Sequence, residues 1–269
     1  MIKTPAIILL LTLSLFTAIV GVLAYRHVKN GEIAGIKTEE KQEIINGIVV
    51  PHHMLAKELI DDAYQNINAS GVTRVVVFSP NHFYHALPAV VMSAEITGVD
   101  VDQTMVDQLK NQFPDVLLDQ KMVEQEHGVM IQIPYIKQYF PQASVVPIII
   151  SSAMTQEKIE ALTRTLGDIV NPDDTLFVLS TDFSHNTTTA EGMTKNEETV
   201  AAMSSFDYVA LYDFHDDHID APNATVVWLS LMHRFGARNW RQWQSSHSGL
   251  ITGDTGMQGT SYVTGGFYK

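Results

Sequence analysis

The 269-residue chain contains no cysteine. That absence excludes disulfides, thiolate zinc sites and a cysteine nucleophile together. It does not identify a compartment, since an exported protein can also lack disulfides, and eleven methionines show that sulfur as such is not avoided. Basic residues are scarce: 17 Lys and Arg stand against 30 Asp and Glu, a formal net charge of −13. An acidic surface repels phosphate backbones, and no Lys/Arg cluster or basic helix follows the N-terminus, so the composition argues against nucleic-acid binding. No internal repeat or low-complexity tract is present. At 45% hydrophobic and 17% charged residues, the chain suits one sizeable α/β domain with a real core rather than two.

Charge is missing altogether between Pro5 and Tyr25, where the chain reads PAIILLLTLSLFTAIVGVLAY. About 20 apolar residues suffice to cross a bilayer as a helix. The core of a cleaved signal peptide is usually shorter, about 7–15 residues. Residues 1–25 are therefore expected to be a transmembrane anchor or uncleaved signal, with cleavage after Ala24, beside the small residues Val22 and Ala24, as the rival. A buried soluble helix fits less well, because nothing in the run gives it a polar face. Lys3 precedes the run, while Arg26, His27 and Lys29 follow it, so the positive-inside count is nearly balanced. A signal-anchor-like start favours an extracytoplasmic domain tethered to the membrane. Residues 26–43, polar and charged with two glycines, read as a flexible linker. All acidic residues and all basic ones except Lys3 follow the apolar run, leaving that part formally at −14.

From residue 44 to 269, β-branched runs alternate with helical patterns. Expected strands are Ile44–Val50, Arg74–Ser79, Ala89–Met92, Ser144–Ile150, Thr175–Ser180, Trp240–Gln244 and Ser261–Phe267. Expected helices are Leu55–Asn68, Asp102–Gln112, Val129–Tyr139, Gln156–Val170, Lys195–Ser204 and Ala224–Phe235. Such alternation predicts a single α/β domain with a mainly parallel sheet flanked by helices. Three strands run directly into polar residues: Val50 into Pro51-His52-His53, Phe78 into Ser79-Pro80-Asn81-His82, and Leu179 into Ser180-Thr181-Asp182-Phe183-Ser184-His185. Open α/β sheets bind ligands outside the carboxyl ends of their strands, so these three ends are expected to meet at one crevice.

His52 and His82 each follow a strand and a proline that fixes the exit direction, and neutral imidazole is a common ligand for mid-row metals. The competing reading makes each a surface or hydrogen-bonded structural histidine. His53 is expected to point away from its neighbour His52, since adjacent residues in extended chain face opposite ways. Asp182, His185 and His127 can orient metal ligands or move protons, although Asp182 could equally close an Asx-turn and Glu126 cap a helix. The glycosylation patterns at Asn68, Asn186 and Asn223 are expected to be chance matches, because two sit against the anticipated pocket.

These residues fall in a series that resembles the Memo family, protein B of the AmmeMemoRadiSam system. The matching stretches are Val50-Pro51-His52, Phe78-Ser79-Pro80-Asn81-His82, Glu126-His127 with Ile133-Pro134-Tyr135, Val146-Pro147-Ile148, Ser180 to His185, Gln244-Ser245-Ser246 and Ser261-Tyr262-Val263. The resemblance implies a fold similar to class III extradiol dioxygenases, in which non-haem iron sits at strand ends, and a metal pocket of two His and one Cys. The two histidines fall on His52 and His82. The cysteine precedes a helix that ends in Leu-Gly-Ala in the family; here that helix ends Phe235-Gly236-Ala237, and counting back reaches Asp220. Asp216, Asp217, His215 and His218 are close enough in sequence to substitute, and Asp220 could instead serve the start of the helix.

An Asp in place of Cys has a physical consequence. Thiolate favours Cu(I) or zinc, whereas two His and one carboxylate form the facial triad suited to Fe(II) with positions left open. Asp also removes an oxidisable ligand. The expected cofactor is thus a divalent metal, Fe(II) before others, held by His52, His82 and Asp220, with His185, Asp182 and His127 in catalytic roles. The expected activity is that of a non-haem iron oxidoreductase on a small-molecule substrate. Two alternatives stay open: a metal-binding or redox-handling protein without turnover, and a metal-free scaffold. No arginine clamp names a substrate; Tyr135, Phe183 and His185 are candidate walls for an aromatic diol.

Overall fold

The computed structural model describes residues 45–83 and 89–269. The expected membrane segment (1–25) and linker (26–43) lie outside the described residues. Among the described residues, no helix is long and apolar enough to cross a membrane.

Eight strands form one sheet: β1 (Ile45–Val50), β2 (Arg74–Pro80), β3 (Val90–Met92), β4 (Val116–Leu118), β5 (Ser144–Ile150), β6 (Thr175–Ser180), β7 (Asn239–His247) and β8 (Ser261–Tyr268). Their order is β4-β3-β5-β2-β6-β1-β8-β7. The central run β5-β2-β6-β1 is parallel, as is β3 with β4, while β3 meets β5, and β8 meets β1 and β7, antiparallel. The helices are α1 (Lys57–Gln65), entered through a 3-10 turn at Met54–Ala56, then α2 (Gln103–Gln112), α3 (Gln120–Gln125), α4 (His127–Met130) and α5 (Gln132–Tyr139). They continue as α6 (Gln156–Ile169), α7 (Thr189–Ser205), α8 (Tyr208–Asp213), α9 (Pro222–Arg234) and α10 (Ser248–Thr252). The result is the expected α/β domain with a mainly parallel sheet.

The apolar central strands are buried on both faces, and alternate residues feed two layers. Val76, Phe78, Val146, Ile148, Phe177 and Leu179 pack against Leu109, Leu162, Leu166 and Val227 of α2, α6 and α9. Val75, Val77, Val145, Ile149, Leu176 and Val178 pack against Ile60 and Tyr64 of α1 and Ile133 and Ile136 of α5. Fully burying one such side chain contributes roughly 1.5–3 kcal/mol, so these layers hold the strand ends in place. Pro147 is tolerated in a central strand for a local reason. Val145 exchanges backbone bonds with Asp100 and Asp102, and β3 pairs only from Ile149 onward; alternation puts the missing N–H of Pro147 in the gap between them.

Several boundaries differ from expectation. The helix expected over Val129–Tyr139 is two helices, because Pro134 lacks the N–H that would continue the ladder and is tolerated only in the first turn of α5. Helix α7 starts six residues before Lys195, at a capping box formed by Thr188 and Glu191. Strand β4 is a three-residue edge with two exposed leucines, too short for an alternating pattern to register.

A candidate metal centre at the strand ends

Strands β2, β6 and β1 are parallel neighbours, so their carboxyl ends share one edge of the sheet. His52 stands two residues beyond β1, His82 two beyond β2 and Asp182 two beyond β6. Two helices complete the cluster. Helix α9 is seated on the sheet by Trp228, whose indole Nε1 donates to Phe177 O at 3.0 Å, and by Gly47 of β1, where a Cβ would stand 2.8 Å from the indole. The chain entering α9 carries Asp220. Helix α4 lies so close to β2 that a Cβ on Gly128 would collide with Ser79 Oγ, and this approach delivers Glu126 and His127.

The donor atoms converge. His52 Nε2 is 3.0 Å and His82 Nε2 3.6 Å from Asp220 Oδ2. The rings of His52 and His82 are 4.9 Å apart edge-on, and His127 lies 3.9 Å from His82 and 5.0 Å from His52. Asp182 Oδ2 is 4.0 Å from His52 Nε2. Each main donor is braced from behind. Glu126 Oε1 accepts from His82 Nδ1 at 2.6 Å while Oε2 accepts from the His82 backbone N–H at 3.0 Å. His52 Nδ1 faces Ser180 Oγ at 3.5 Å, its backbone N–H donates to Asp182 Oδ1, and Thr181 Oγ1 donates to Asp220 Oδ1 at 2.7 Å. Behind Ser180, buried Gln132 donates to Ser180 Oγ and to Pro51 O and accepts from Tyr64 Oη.

One atom is left over. Asp220 Oδ2 is buried and has no hydrogen-bond partner, despite its closeness to two imidazole nitrogens. It stands at ion-pair distance from both imidazoles without a hydrogen bond of regular geometry, as an oxygen set to share a cation with them would. Metal–donor bonds of about 2.0–2.2 Å would place neighbouring donors about 3.0–3.5 Å apart, close to the 3.0 and 3.6 Å around Asp220 Oδ2. Burial, chemistry and spacing of these donors therefore fit a cation. His52, His82 and His127 form one group able to hold a metal, and His52, Asp182 and Asp220 another, each with ligand atoms within 4.8 Å of one another.

The charges are strongly coupled. Burial disfavours a charged His52, but Asp182 and Asp220 outweigh it and push its pKa up to about 9. His82 behaves alike: burial opposes the charge, and Asp220 and Glu126 raise it to about 10. Asp220 is held far below the usual carboxylate range, burial being overcome by His52 and His82. Burial, together with the neighbouring Asp220, pushes Asp182 upward against the pull of His52. His127 falls to about 4 through burial and the charges of His82 and His52. The metal-free site is thus a protonated imidazole pair closed on a carboxylate.

The expected residues divide as follows. His52, His82, Asp220, Asp182 and His127 come together. Asp220 is not a helix cap: the N-cap of α9 is Ala221, without a side-chain cap. Asp182 closes no Asx-turn but holds His52. Two of the near-sequence substitutes are engaged elsewhere, His218 with Glu198 and Asp217 with Lys195. His53 points away, to Tyr262 Oη at 2.6 Å. His185 lines an adjacent cavity of about 360 Å³ with His82, Asp216 and Asp220, and its buried Nδ1 has no partner. Two expected walls are corrected. Tyr135 stacks on Tyr64 and Phe183 is buried in the main core; the cavity is walled instead by Pro80, Ile150, Ala221, Pro222 and Ala224. Ser180, Thr181 and Gln132 brace the site without belonging to a recognisable motif, and the one sequence signal is a glutamine, Gln132, among the apolar residues Val129–Ile133.

Comparison with known proteins bears on the family and the fold. A family model described as Memo-like protein matches residues 28–265. The chain is 22% identical over 257 residues to a MEMO1 family protein of Caldivirga maquilingensis, covering 89% of each. It is 27% identical over 218 residues to a MEMO1 family protein of Saccharolobus islandicus, covering 75% of this chain and 76% of the relative. The solved structure of uncharacterized protein JW3007 from Escherichia coli K12 superposes with a TM-score of 0.51 at 12% identity, covering 81% of this chain and 98% of the other, a likeness of fold.

Proposed function

Because the chain belongs to the Memo-like family, and because its strand ends gather a braced donor set, we propose that it binds a divalent metal through His52 Nε2, His82 Nε2 and Asp220 Oδ2. Fe(II) is the metal that two imidazoles and one carboxylate suit best. The observation that carries this reading is the convergence of His52 Nε2 and His82 Nε2 on the buried Asp220 Oδ2, at 3.0 and 3.6 Å, with the other ring nitrogens facing Glu126 and Ser180. The activity we infer is that of a non-haem iron oxidoreductase acting on a small molecule in the adjacent cavity, on an extradiol-dioxygenase-like fold. Bound iron would supply Lewis acidity and a place for dioxygen beside the substrate.

The chain's own residues would do the rest. Glu126 fixes the tautomer and orientation of His82. His127, uncharged at neutral pH, can accept a proton at the mouth of the site. Asp182 accepts from the His52 backbone N–H at 3.0 Å and so fixes that ligand's place, and His185 lines the cavity. The second reading is metal binding without turnover, and the His52, His82 and His127 group favours it, since three imidazoles also suit zinc or copper.

Metal analysis of the purified domain tests the site. We expect about one Fe(II) per chain, and Asp220→Asn, which keeps the shape and loses the charge, should lower occupancy at least tenfold with an unchanged fold. Full Fe(II) occupancy in Asp220→Asn would end the facial-triad reading. We further propose that the apolar run Pro5–Tyr25 tethers the domain to a membrane, with the domain outside the cytoplasm. The full-length chain should then sediment with membranes and resist salt and carbonate; release by salt alone would refute the anchor.

A further inference from the structure

Exposed apolar side chains are not spread evenly over the molecule. Of the nine large ones among the described residues, Met54, Leu55, Phe83, Leu250, Ile251 and Met257 lie at the sheet edge that carries the candidate metal centre. Strand directions place them there. Met54 and Leu55 follow β1 and Phe83 follows β2, whose carboxyl ends form that edge. Strand β8 runs antiparallel to β1, and β7 antiparallel to β8, so the β7–β8 connection, residues 248–260, emerges on the same side. Within it, α10 packs against the Met54–Ala56 turn. At the other end Phe83 flanks His127, with 5.9 Å between ring centroids. The connection is fastened in place. His247 Nδ1 accepts from Gly249 N–H at 2.9 Å, Ser248 Oγ accepts from Thr260 N–H at 3.0 Å, and Gly259 N–H donates to Thr187 O at 2.8 Å. Its one charged residue is Asp254, while Leu250 and Met257 stand 48% and 61% exposed. Apolar side chains concentrated on one surface mark a site of protein or membrane interaction.

We propose that this edge docks on a lipid bilayer, with Met54, Leu55, Leu250, Ile251 and Met257 entering the headgroup region. The proposal rests on the membrane tether proposed above, which identifies the occupant. The uncharged run Pro5–Tyr25 is long enough to cross a bilayer, and residues 26–44 separate it from β1. A stretch of that length reaches at most roughly 60–70 Å, against about 20 Å for the six residues of β1. Any face of the domain can therefore be brought to the membrane. The apolar edge is the one that gains by it, because binding at the interface scales with the apolar area buried there. A tethered domain meets the surface at high effective concentration, so a modest seat suffices. The formal charge of −14 that follows the run favours a zwitterionic surface over an anionic one. Docking turns the ends of β1 and β2, with His52 and His82, toward lipid rather than bulk water.

The chain has no cysteine, so one introduced thiol takes a label at a single place. Full-length Met257→Cys carrying a polarity-sensitive fluorophore is reconstituted with phosphatidylcholine vesicles. Leu117→Cys, on the strand at the far end of the sheet, is the control. We expect the label at position 257 to brighten about twofold or more and to be quenched by nitroxide-labelled phosphatidylcholine, with the label at 117 unchanged. Adding Leu250→Asn and Ile251→Asn, both at exposed positions, should cut the response at 257 by about half or more. Flotation of the same samples in carbonate reports the tether separately. Protein that floats with a silent label at 257 overturns the docking and leaves the tether. Protein released by carbonate whose label still answers to added vesicles keeps the docking and ends the tether. An equal response at 117, or an undiminished one in the asparagine variant, also overturns the proposal. So does brightening that follows protein concentration without vesicles, which would seat a second copy of the chain on this edge.

Discussion

Asp220 is the residue we propose as the third ligand, and a carboxylate there sets charge distribution, hardness and reach at one point. A thiolate would bring a soft ligand, while the carboxylate brings two oxygens, one committed to Thr181 and one directed at the imidazoles. Glu126 is the complementary residue. It is 1% exposed, accepts from both the ring and the backbone of His82, and also from Gly128 N–H at 3.0 Å. Glu126→Gln replaces one acceptor oxygen with a donor facing another donor. Metal affinity should fall about 10–100-fold, as for other residues that orient a ligating histidine. Titration with a competing chelator measures it, and an affinity within twofold of the parent would show that Glu126 does not position His82.

Elements set the distances within which these residues act. The short helix α4 can carry His127 over His52 and His82 only because Gly128 lets it touch Ser79. Gly128→Ala forces that contact apart, and overpacking of this kind costs about 1–3 kcal/mol. For a domain of this size that is a melting temperature lower by roughly 2–12 °C, together with weaker metal binding. Adding Ser79→Ala removes the obstructing oxygen and should restore much of both losses. A double variant no better than Gly128→Ala would place the cost elsewhere. The strand positions were legible in sequence because central parallel strands are continuous apolar runs ending in polar residues. The break between α4 and α5, and the edge strand β4, were not, since Pro134 acts through one missing backbone bond and a three-residue strand has no period to detect.

For the molecule as a whole, the site couples protons to stability. His52 and His82 have folded-state pKa values of about 9 and about 10, above the unfolded value of about 6.5. Between those limits the native state holds protons that the unfolded chain has released, so stability falls as pH rises. Their contribution is complete below about pH 6.5 and is lost as pH climbs through 9 to 10. His127 has the opposite sign, its folded value of about 4 making stability rise from pH 4 to 6.5. In chelator, the melting temperature should therefore pass a maximum near pH 6–7 and decline to pH 10. With saturating Fe(II) kept anaerobic, the alkaline decline should flatten or reverse, because metal and protons compete for the same nitrogens and bound metal adds to native stability. Identical alkaline slopes with and without metal would mean that the metal does not bind these histidines.

Composition, periodicity and the order of short motifs were enough to establish an α/β domain, a family resemblance and a crevice at the ends of β1, β2 and β6. Those features are local or repeat along the chain, and the sheet rule converts strand ends into a site without coordinates. Tertiary structure alone decided the rest. Asp220 comes from far along the chain, and only the seating of α9 by Trp228 against Gly47 and Phe177 shows that it meets His52 and His82 while Asp217 and His218 pair elsewhere. Tyr135 and Phe183 have the chemistry of pocket walls, but each is claimed by packing, on Tyr64 and in the core. Whether a polar residue serves a site depends on which partners reach it first in three dimensions, and residue type and spacing do not carry that information.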